Sequence, residues 1–445
     1  MTDRLLHRSF HAVAALLVAT IVAACGGGDD TPAAPNGFQG NVSSAVPLVA
    51  APRVAASPDG ATWLAWVEGD NTHQTLIGAR VDSVGVITKL PVTSNVDGAL
   101  RDVQVTVVGT TPIVTWRQYA ASGSVTVAAA SFQGFAWFAE FASPASAQGD
   151  VRPLPILAGE VSLQWTRTDA SGRFELVAAR RSPFGLWSAP KVIRSGDPGA
   201  VLLRSSQSSD GSGGLMALWS EQPSGVAGSP ETLLSSQYDE TAATWRAPLT
   251  VDVGSSYGSP AVGSTGTSAW VAVWLAGNAV ARTAVIGKRF SGGVWSAATD
   301  RIDQGQDASI SELVLAPRNF HVHAGWIGVA AGAGSGNVRA ASFDVAGSAW
   351  TAPSRVGSAA NGVPLGLALR TDGQGTVAAA WSVSQGIGGL QLAVTDPAGV
   401  WQGASQVDPN GVAPDLAFFA ATDLVTTWYR PVAGGLDDVA VRRTR

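Results

Sequence analysis

The chain has 445 residues, a net charge of −5 and only 14% charged residues, with 52 Gly, 24 Pro and 16 Trp. This composition, rich in Gly, Pro and Trp and poor in charged residues, favours turns and half-buried strands over helices. No run of Lys and Arg stands out, which argues against nucleic acid as a partner. The one cysteine excludes an intrachain disulfide. We therefore expect an all-β protein.

The first 24 residues are typical of an export signal. Arg4 and Arg8 precede an apolar run at residues 12–24, which is shorter than the roughly 20 residues of a membrane-spanning helix. The motif VAAC, ending at Cys25, resembles the bacterial lipobox, and this resemblance implies a lipoprotein with palmitate or a similar acyl chain on Cys25. Gly26 after the cysteine implies the outer membrane, on its periplasmic or surface side. The alternative is an ordinary signal peptide with a chance cysteine.

Residues 25–37 are predicted to be a flexible tether, because Gly, Asp, Pro and Ala dominate them. Residues 38–445 form the remaining domain and carry an internal repeat. A short apolar segment that ends in Trp occurs eight times, at intervals of 47–55 residues, ending at Trp66, Trp116, Trp165, Trp219, Trp274, Trp326, Trp381 and Trp428.

Each repeat contains three further apolar segments. One precedes the Trp segment, as at residues 52–57, and one follows it about ten residues later, as at residues 76–82. The last segment is opened by another Trp in six copies, at Trp137, Trp187, Trp245, Trp295, Trp350 and Trp401. Four short strands in a repeat of about 50 residues predict the blades of a β-propeller.

The repeats predict an eight-bladed propeller, with seven blades as the alternative. The last repeat lacks its outer segment, whereas residues 38–46 are similar to the outer segment at 401–407. We expect this N-terminal strand to complete blade eight and so close the ring. The tryptophans that end the second strands are expected in the core, because both faces of a blade pack against neighbouring blades.

Charged residues recur where the innermost strands are predicted to begin. They are Arg53, Arg101 with Asp102, Arg152 and Arg204 in blades one to four, and Asp307, Glu312 and Asp415 in blades six and eight. Innermost strands converge on the axis of the propeller. We therefore expect the arginines to share one sector of its mouth, the end of the central opening at which the innermost strands begin. Guanidinium groups bind carboxylates in a bidentate manner, which makes this sector a candidate site for an anionic ligand. The alternative is a solvated rim of charge pairs.

The repeats bear a remote resemblance to sialidase-like and lectin-like propellers, without matching a specific family. Residues 57–63 (SPDGATW) are similar to the sialidase Asp-box, but the segment is one residue short, occurs once and lies between the first and second strands. Fucose-type propeller lectins repeat an Arg/Glu/Trp set in each blade, and no such set recurs in this sequence.

Metal and cofactor motifs are weak in this sequence. His321 and His323 lie on one side of a strand, but no clustered third ligand accompanies them. His323 falls at a packing position between blades, which favours a buried, hydrogen-bonded side chain over a metal ligand. The spacing of a calcium loop and a phosphate-binding Gly-rich loop are both missing. We predict no metal site and no cofactor.

Two functions fit these observations. The first is a binding or scaffold module of the cell envelope, which holds a protein or glycan partner and reaches the membrane through Cys25. The alternative is an envelope lyase or glycoside hydrolase that acts on an acidic polysaccharide at the mouth. An enzyme needs two titratable groups that converge on one pocket, so the geometry of the mouth distinguishes the two. The fold alone does not.

Overall fold

The eight tryptophan-marked repeats fold into eight small antiparallel sheets that surround one axis, as an eight-bladed β-propeller. The computed structural model describes residues 37–444, apart from residues 71, 96–97, 145–146, 157–158, 224–228, 278–280, 334, 360–361, 385–388 and 421–422. The predicted signal, Cys25 and the tether up to residue 36 lie outside the described residues. The prediction of eight blades is confirmed, and the alternative of seven is wrong.

Within blades one to seven the strands follow the chain from the axis outward. Blades one and two comprise β2 (Leu48–Ala56), β3 (Thr62–Gly69), β4 (Gln74–Val81), β5 (Ile87–Asn95), β6 (Gly98–Val108), β7 (Thr111–Ala120), β8 (Val125–Gln133) and β9 (Ala136–Ala142). Blade three comprises β10 (Ala147–Pro155), β11 (Val161–Thr168), β12 (Phe174–Arg181) and β13 (Lys191–Ser195). Blade seven comprises β29 (Pro364–Thr371), β30 (Val377–Val383), β31 (Gly389–Val394) and β32 (Ser405–Asp408).

In blades four, five and six the outer strand is split into two short pieces. Blade four comprises β14 (Val201–Ser209), β15 (Leu215–Gln222), β16 (Glu231–Asp239), β17 (Thr244–Trp245) and β18 (Leu249–Gly254). Blade five comprises β19 (Tyr257–Gly266), β20 (Ala269–Gly277), β21 (Arg282–Ser291), β22 (Val294–Trp295) and β23 (Asp300–Arg301). Blade six comprises β24 (Ser309–Arg318), β25 (His321–Val329), β26 (Asn337–Asp344), β27 (Ala349–Trp350) and β28 (Ser354–Ser358).

The ring is closed by the first strand of the described chain. Blade eight consists of β33 (Val412–Ala420), β34 (Asp423–Val432) and β35 (Leu436–Thr444), with β1 (Gln39–Val46) as its outer strand. Gln39 lies opposite Arg442, and the pairing of β1 with β35 is antiparallel. The predicted closure by the N-terminal strand is confirmed. Within the described part no helix occurs, and hence none of a length and apolarity that would cross a bilayer.

The eight repeated tryptophans of the second strands form the core between blades, and each second strand continues for two to four residues beyond its tryptophan. All eight are buried, and Trp66, Trp219, Trp326, Trp381 and Trp428 have no exposed surface. A tryptophan buries about 150–250 Å² of surface, and each Å² of buried apolar surface stabilises the fold by roughly 25 cal/mol. The prediction of a structural role for these side chains is therefore confirmed.

Candidate functional site

The mouth face of the propeller is the face at which innermost strands begin and second strands end. Each innermost strand carries a β-bulge near this face. Register shifts fall between Ala50 and Arg53, Arg101 and Gln104, Gln148 and Arg152, Leu202 and Arg204, Gly258 and Ala261, Ile310 and Glu312, Leu365 and Ala368, and Val412 and Asp415. A bulge bends its strand and redirects the side chains beside it. Most of the charged residues predicted at the mouth lie in these bulges.

The four arginines lie on consecutive innermost strands, at two different heights. Arg53 and Arg152 pair with the residue before the second-strand tryptophan, whereas Arg101 and Arg204 pair with the residue after it. Two residues along a strand span about 6–7 Å, so the arginines form two staggered pairs. The side chain of Arg152 is outside the described part of the molecule.

The arginines differ in what they bind. One Nη of Arg101 donates to the carbonyl oxygen of Leu100 at 3.1 Å, and Arg204 donates to the carbonyl oxygen of Tyr257 at 2.8 Å. The half-buried Arg53 guanidinium has no hydrogen-bond or ion-pair partner among the described residues. Arg53 therefore offers unused donors at the mouth.

Arg53 lines a cavity of about 230 Å³ between the bulges of the first blades, which we term the bulge cavity. The other lining residues are Ala50, Ala51, Asp102, Val103, Gln104 and Val151. Asp102 has a left-handed backbone, with φ of 53°, a conformation that Asp tolerates better than most residues. Its carboxylate forms an ion pair with Arg117, and the guanidinium of Arg117 lies 5.4 Å from the ring centre of Tyr119. The cavity thus combines a guanidinium that has no partner among the described residues with a carboxylate that is already paired with Arg117.

The carboxylates predicted at the mouth hold the ring together instead of facing a ligand. Asp415 is 3% exposed; it accepts a hydrogen bond from the Val54 amide at 3.1 Å and pairs with Arg370 at 2.8 Å. Glu312 accepts hydrogen bonds from the amides of Gly366 and Leu367, in the bulge of the next blade. A buried carboxylate is stable only with such partners. The carboxylates of Asp415 and Glu312 are therefore engaged by groups of the ring itself.

Asp307 is also internal, and it belongs to an arrangement that recurs in three blades. A carboxylate binds the indole N–H of the second-strand tryptophan and an arginine: Glu221 with Trp219 and Arg194, Asp307 with Trp326 and Arg339, and Asp408 with Trp428 and Arg430. We term these sets tryptophan clamps. Sequence reasoning missed them, because two of the carboxylates lie 19 and 20 residues before their tryptophan. Asp307 is in the connection between blades five and six, and Asp408 ends the outer strand of blade seven.

Electrostatics at the Asp408 clamp favour the ionised carboxylate. Burial acts to raise the pKa of Asp408, but hydrogen bonds from Arg430, the Asn410 amide and Trp428 outweigh it, and the pKa lies below its usual value of 3.8. The clamp is therefore an ion pair at neutral pH, with a structural role.

His323 is a buried side chain, as predicted. It is 7% exposed, and its Nδ1 lies 2.7 Å from the Ser342 hydroxyl. Burial, together with the nearby His321, lowers the pKa of His323 to about 4, against a weaker opposing effect of Asp372. Among the described residues no group of three or more His, Cys, Asp or Glu side chains is arranged to hold a metal ion.

Lowering the pH from 7 to 4 is expected to destabilise the protein by up to about 3 kcal/mol through His323. The unfolded chain takes up a proton near the usual pKa of 6.5, whereas the folded protein does so only near 4. The unfolded state therefore binds more protons in this window, and stability falls as the pH falls. Urea unfolding at a series of pH values measures the effect.

His323→Met should flatten this part of the pH profile, whereas His73→Gln, at an exposed position of blade one, should leave it in place. An unchanged slope in the His323→Met protein would assign the acid sensitivity to other groups.

A second cavity, of about 190 Å³, lies between blades three and four, away from the mouth. It is lined by Ala178, Arg180, Ser188, Lys191, Tyr238, Glu240 and Trp245. Arg180 is held by Glu160 at 2.9 Å and Glu240 at 2.7 Å, and its guanidinium lies 4.9 Å from the Tyr238 ring centre. The Arg180 guanidinium therefore already has its charge and hydrogen-bond partners within the protein.

No family model and no curated protein matches this sequence. Among solved structures the chain is similar to a prolyl endopeptidase, with 12% identity and a TM-score of 0.50 over 88% of this chain and 56% of the other. It is similar to the NanB sialidase from Streptococcus pneumoniae, with 9% identity and a TM-score of 0.42 over 92% and 94% of the two chains. It is also similar to a polysaccharide lyase, with 9% identity and a TM-score of 0.46 over 76% and 88%. At these identities the similarity concerns the fold alone.

Proposed function

We propose that this protein is a binding module of the cell envelope, attached to the outer membrane through a lipid on Cys25, whose bulge cavity receives a carboxylate group of an acidic glycan. The observation that carries the proposal is Arg53, a half-buried guanidinium on the cavity wall with no partner among the described residues. A guanidinium presents a planar set of donors that matches a carboxylate.

The size and lining of the bulge cavity support this assignment. Its volume of about 230 Å³ is below the roughly 300–1,000 Å³ of sites that enclose a drug-sized ligand. The cavity therefore suits one group of a longer chain rather than a whole small molecule. Gln104 adds an amide that both donates and accepts hydrogen bonds, which suits the hydroxyl groups beside a sugar carboxylate.

The alternative of a lyase or hydrolase has less support at this site. Acid–base catalysis needs two titratable groups within hydrogen-bond reach of the reacting atoms. The carboxylate that lines the bulge cavity is that of Asp102, and it is engaged by Arg117. Depolymerisation of an acidic polysaccharide by the purified protein would favour the enzyme over the binding module.

Arg53→Gln is expected to weaken binding of an acidic glycan about 10- to 100-fold, because a hydrogen bond to a charged group contributes roughly 1.5–3 kcal/mol. The probe is the acidic glycan that binds best to the chain from residue 26 on a glycan array, and calorimetry measures its affinity. The melting temperature should not change, since Arg53 has no hydrogen-bond or ion-pair partner to lose among the described residues.

Arg355→Gln is the matched control, because Arg355 is an exposed arginine on the outer strand of blade six. It should bind like the unaltered protein. Equal affinities of the two variants, or capture of an acidic protein in place of any glycan in an envelope pull-down, would contradict the assigned ligand.

Cys25→Ser is expected to release the protein from the membrane fraction and to abolish labelling by a fatty-acid analogue, because the serine hydroxyl does not replace the thiol in lipid attachment. Fractionation of cells that express the full chain measures the first effect, and metabolic labelling measures the second. Unchanged membrane retention of the mutant would remove the lipoprotein assignment.

A further inference from the structure

The face opposite the mouth carries a repeated set of exposed apolar side chains. On this face, which we term the hairpin face, third strands turn into outer strands. In six of the seven such hairpins within the described residues, large apolar side chains stand at the tip: Val84, Val86, Phe135, Phe184, Leu186, Val294, Val345 and Val400. Single exposed apolar residues are common on protein surfaces, but here they recur at one position of the repeat.

The hairpins of neighbouring blades lie side by side. Arg289, near the end of a third strand in blade five, donates to the carbonyl oxygen of Ser348 in the hairpin of blade six at 2.6 Å. Arg180 of blade three likewise reaches Glu240, in the hairpin of blade four, at 2.7 Å. The apolar tips therefore share one face of the ring.

The apolar surface is densest on blades one to three. The side chains of Phe135 and Phe184 are 79% and 90% exposed, and the Phe135 ring lies 6.2 Å from that of Phe138. The hairpin of blade one is held rigid by Asp82, whose carboxylate accepts hydrogen bonds from the amides of Val84 and Val86. A rigid hairpin loses little conformational entropy when its tip is buried.

The N-terminal segment joins the propeller on this same face, beside blade one. The Arg443 amide donates to the Phe38 carbonyl oxygen at 2.8 Å, and the Arg443 guanidinium donates to the Gly60 carbonyl oxygen, in a turn of blade one, at 2.6 Å. A methyl group on Gly85, in the hairpin of blade one, would lie 3.3 Å from Phe38. The tether therefore attaches next to the most apolar sector of the hairpin face.

The tether is short relative to the propeller. Eleven residues, 26–36, separate Cys25 from Gly37, and a fully extended chain spans at most about 3.3–3.6 Å per residue. The lipid on Cys25 would then lie within roughly 40 Å of Gly37. Because Gly37 lies on the hairpin face, this part of the face stays within that distance of the anchor.

We infer that the hairpin face docks on the lipid bilayer that holds the Cys25 anchor, with the hairpin tips of blades one to three at the headgroup boundary. This inference rests on the proposed lipidation. Apolar side chains that enter the membrane interface add to the attachment that a lipid anchor gives. In this orientation the mouth, with Arg53 and the bulge cavity, points away from the membrane.

Site-specific fluorescence on the full lipoprotein tests the docking. Cys25 is the one cysteine of the chain, and lipidation consumes its thiol, so Phe135→Cys and Phe184→Cys each supply one thiol for a polarity-sensitive dye. Leu365→Cys is the matched control, because Leu365 is an exposed apolar residue at the mouth face. In phosphatidylethanolamine–phosphatidylglycerol vesicles, we expect blue-shifted emission and quenching by doxyl-labelled lipid for both tip dyes, and neither effect for the control.

The outcomes separate the docking from the anchor. If the protein floats with the vesicles but its tip dyes behave like the control dye, the docking is wrong and the anchor stands. If the protein carries no lipid and does not float, both fall. If the tip dyes of the unlipidated Cys25→Ser protein are shielded from water as its concentration rises without vesicles, the face binds a second copy, and the bilayer assignment is overturned.

Discussion

Replacing Trp274 with alanine is expected to lower the free energy of unfolding by about 3–5 kcal/mol. Trp274 is 1% exposed, and it packs between blades four and five with Met216, Leu218 and Tyr257. Its ring centre lies 6.1 Å from that of Tyr257 in an edge-on contact. The substitution removes this apolar contact and leaves a cavity that neighbouring strands fill poorly. Urea unfolding followed by circular dichroism measures the loss.

Phe184→Ala is the matched control, because it also truncates an aromatic side chain but at a position that is 90% exposed. Its effect should stay within about 0.5 kcal/mol, as for most surface substitutions. If Trp274→Ala unfolds at the same urea concentration as the unaltered protein, the repeated tryptophans do not form the core. A role as ligand platforms would then deserve reconsideration.

The repeat architecture could be predicted because it depends only on residue type and on the regular spacing of the repeated tryptophans. Trp66 and its seven equivalents lie in strands that are mostly apolar on both faces, as packing between two neighbouring blades requires. Closure could also be predicted, because the outer strand missing from the last repeat has a counterpart at residues 38–46. Neither inference needed the direction of any individual side chain.

The site at the mouth could be predicted only in part, because its chemistry depends on the direction in which each side chain points. A shift of one residue in register moves a side chain to the other face of a strand, and each innermost strand carries a bulge that the sequence does not mark. Arg53 and Asp415 sit at equivalent heights in adjacent blades. One lines the bulge cavity, whereas the other is buried against Arg370. The position of each residue in the repeat predicted its height in the propeller but not the groups that it contacts.

The tryptophan clamps lead to the second large effect. Asp408→Ala is expected to cost about 3–4 kcal/mol of stability, because removing one partner of a buried ion pair leaves the other groups unsatisfied. The Trp428 indole N–H loses an acceptor at 2.8 Å, and Arg430 loses a carboxylate at 2.7 Å. The side chain of Arg430 is 32% exposed and regains part of its hydration when the carboxylate is removed. The expected loss of stability therefore lies toward the lower end of the roughly 3–5 kcal/mol that is usual for breaking a buried ion pair.

Asp408→Asn keeps an oxygen that can accept the Trp428 hydrogen bond but removes the charge, so it separates packing from electrostatics. Since the folded protein lowers the pKa of Asp408, the stability from this carboxylate is present above about pH 3.8 and is lost as the pH falls through the lower folded value. Asp408→Asn should therefore cost less stability than Asp408→Ala at neutral pH, and the difference between Asp408→Asn and the unaltered protein should narrow in acid. Equal losses in both variants at neutral pH would assign the whole effect to the charge. An Asp408→Asn protein as stable as the unaltered one at every pH would show that the ion pair with Arg430 contributes nothing, and that the clamp acts through its shape and its hydrogen bond to Trp428 alone.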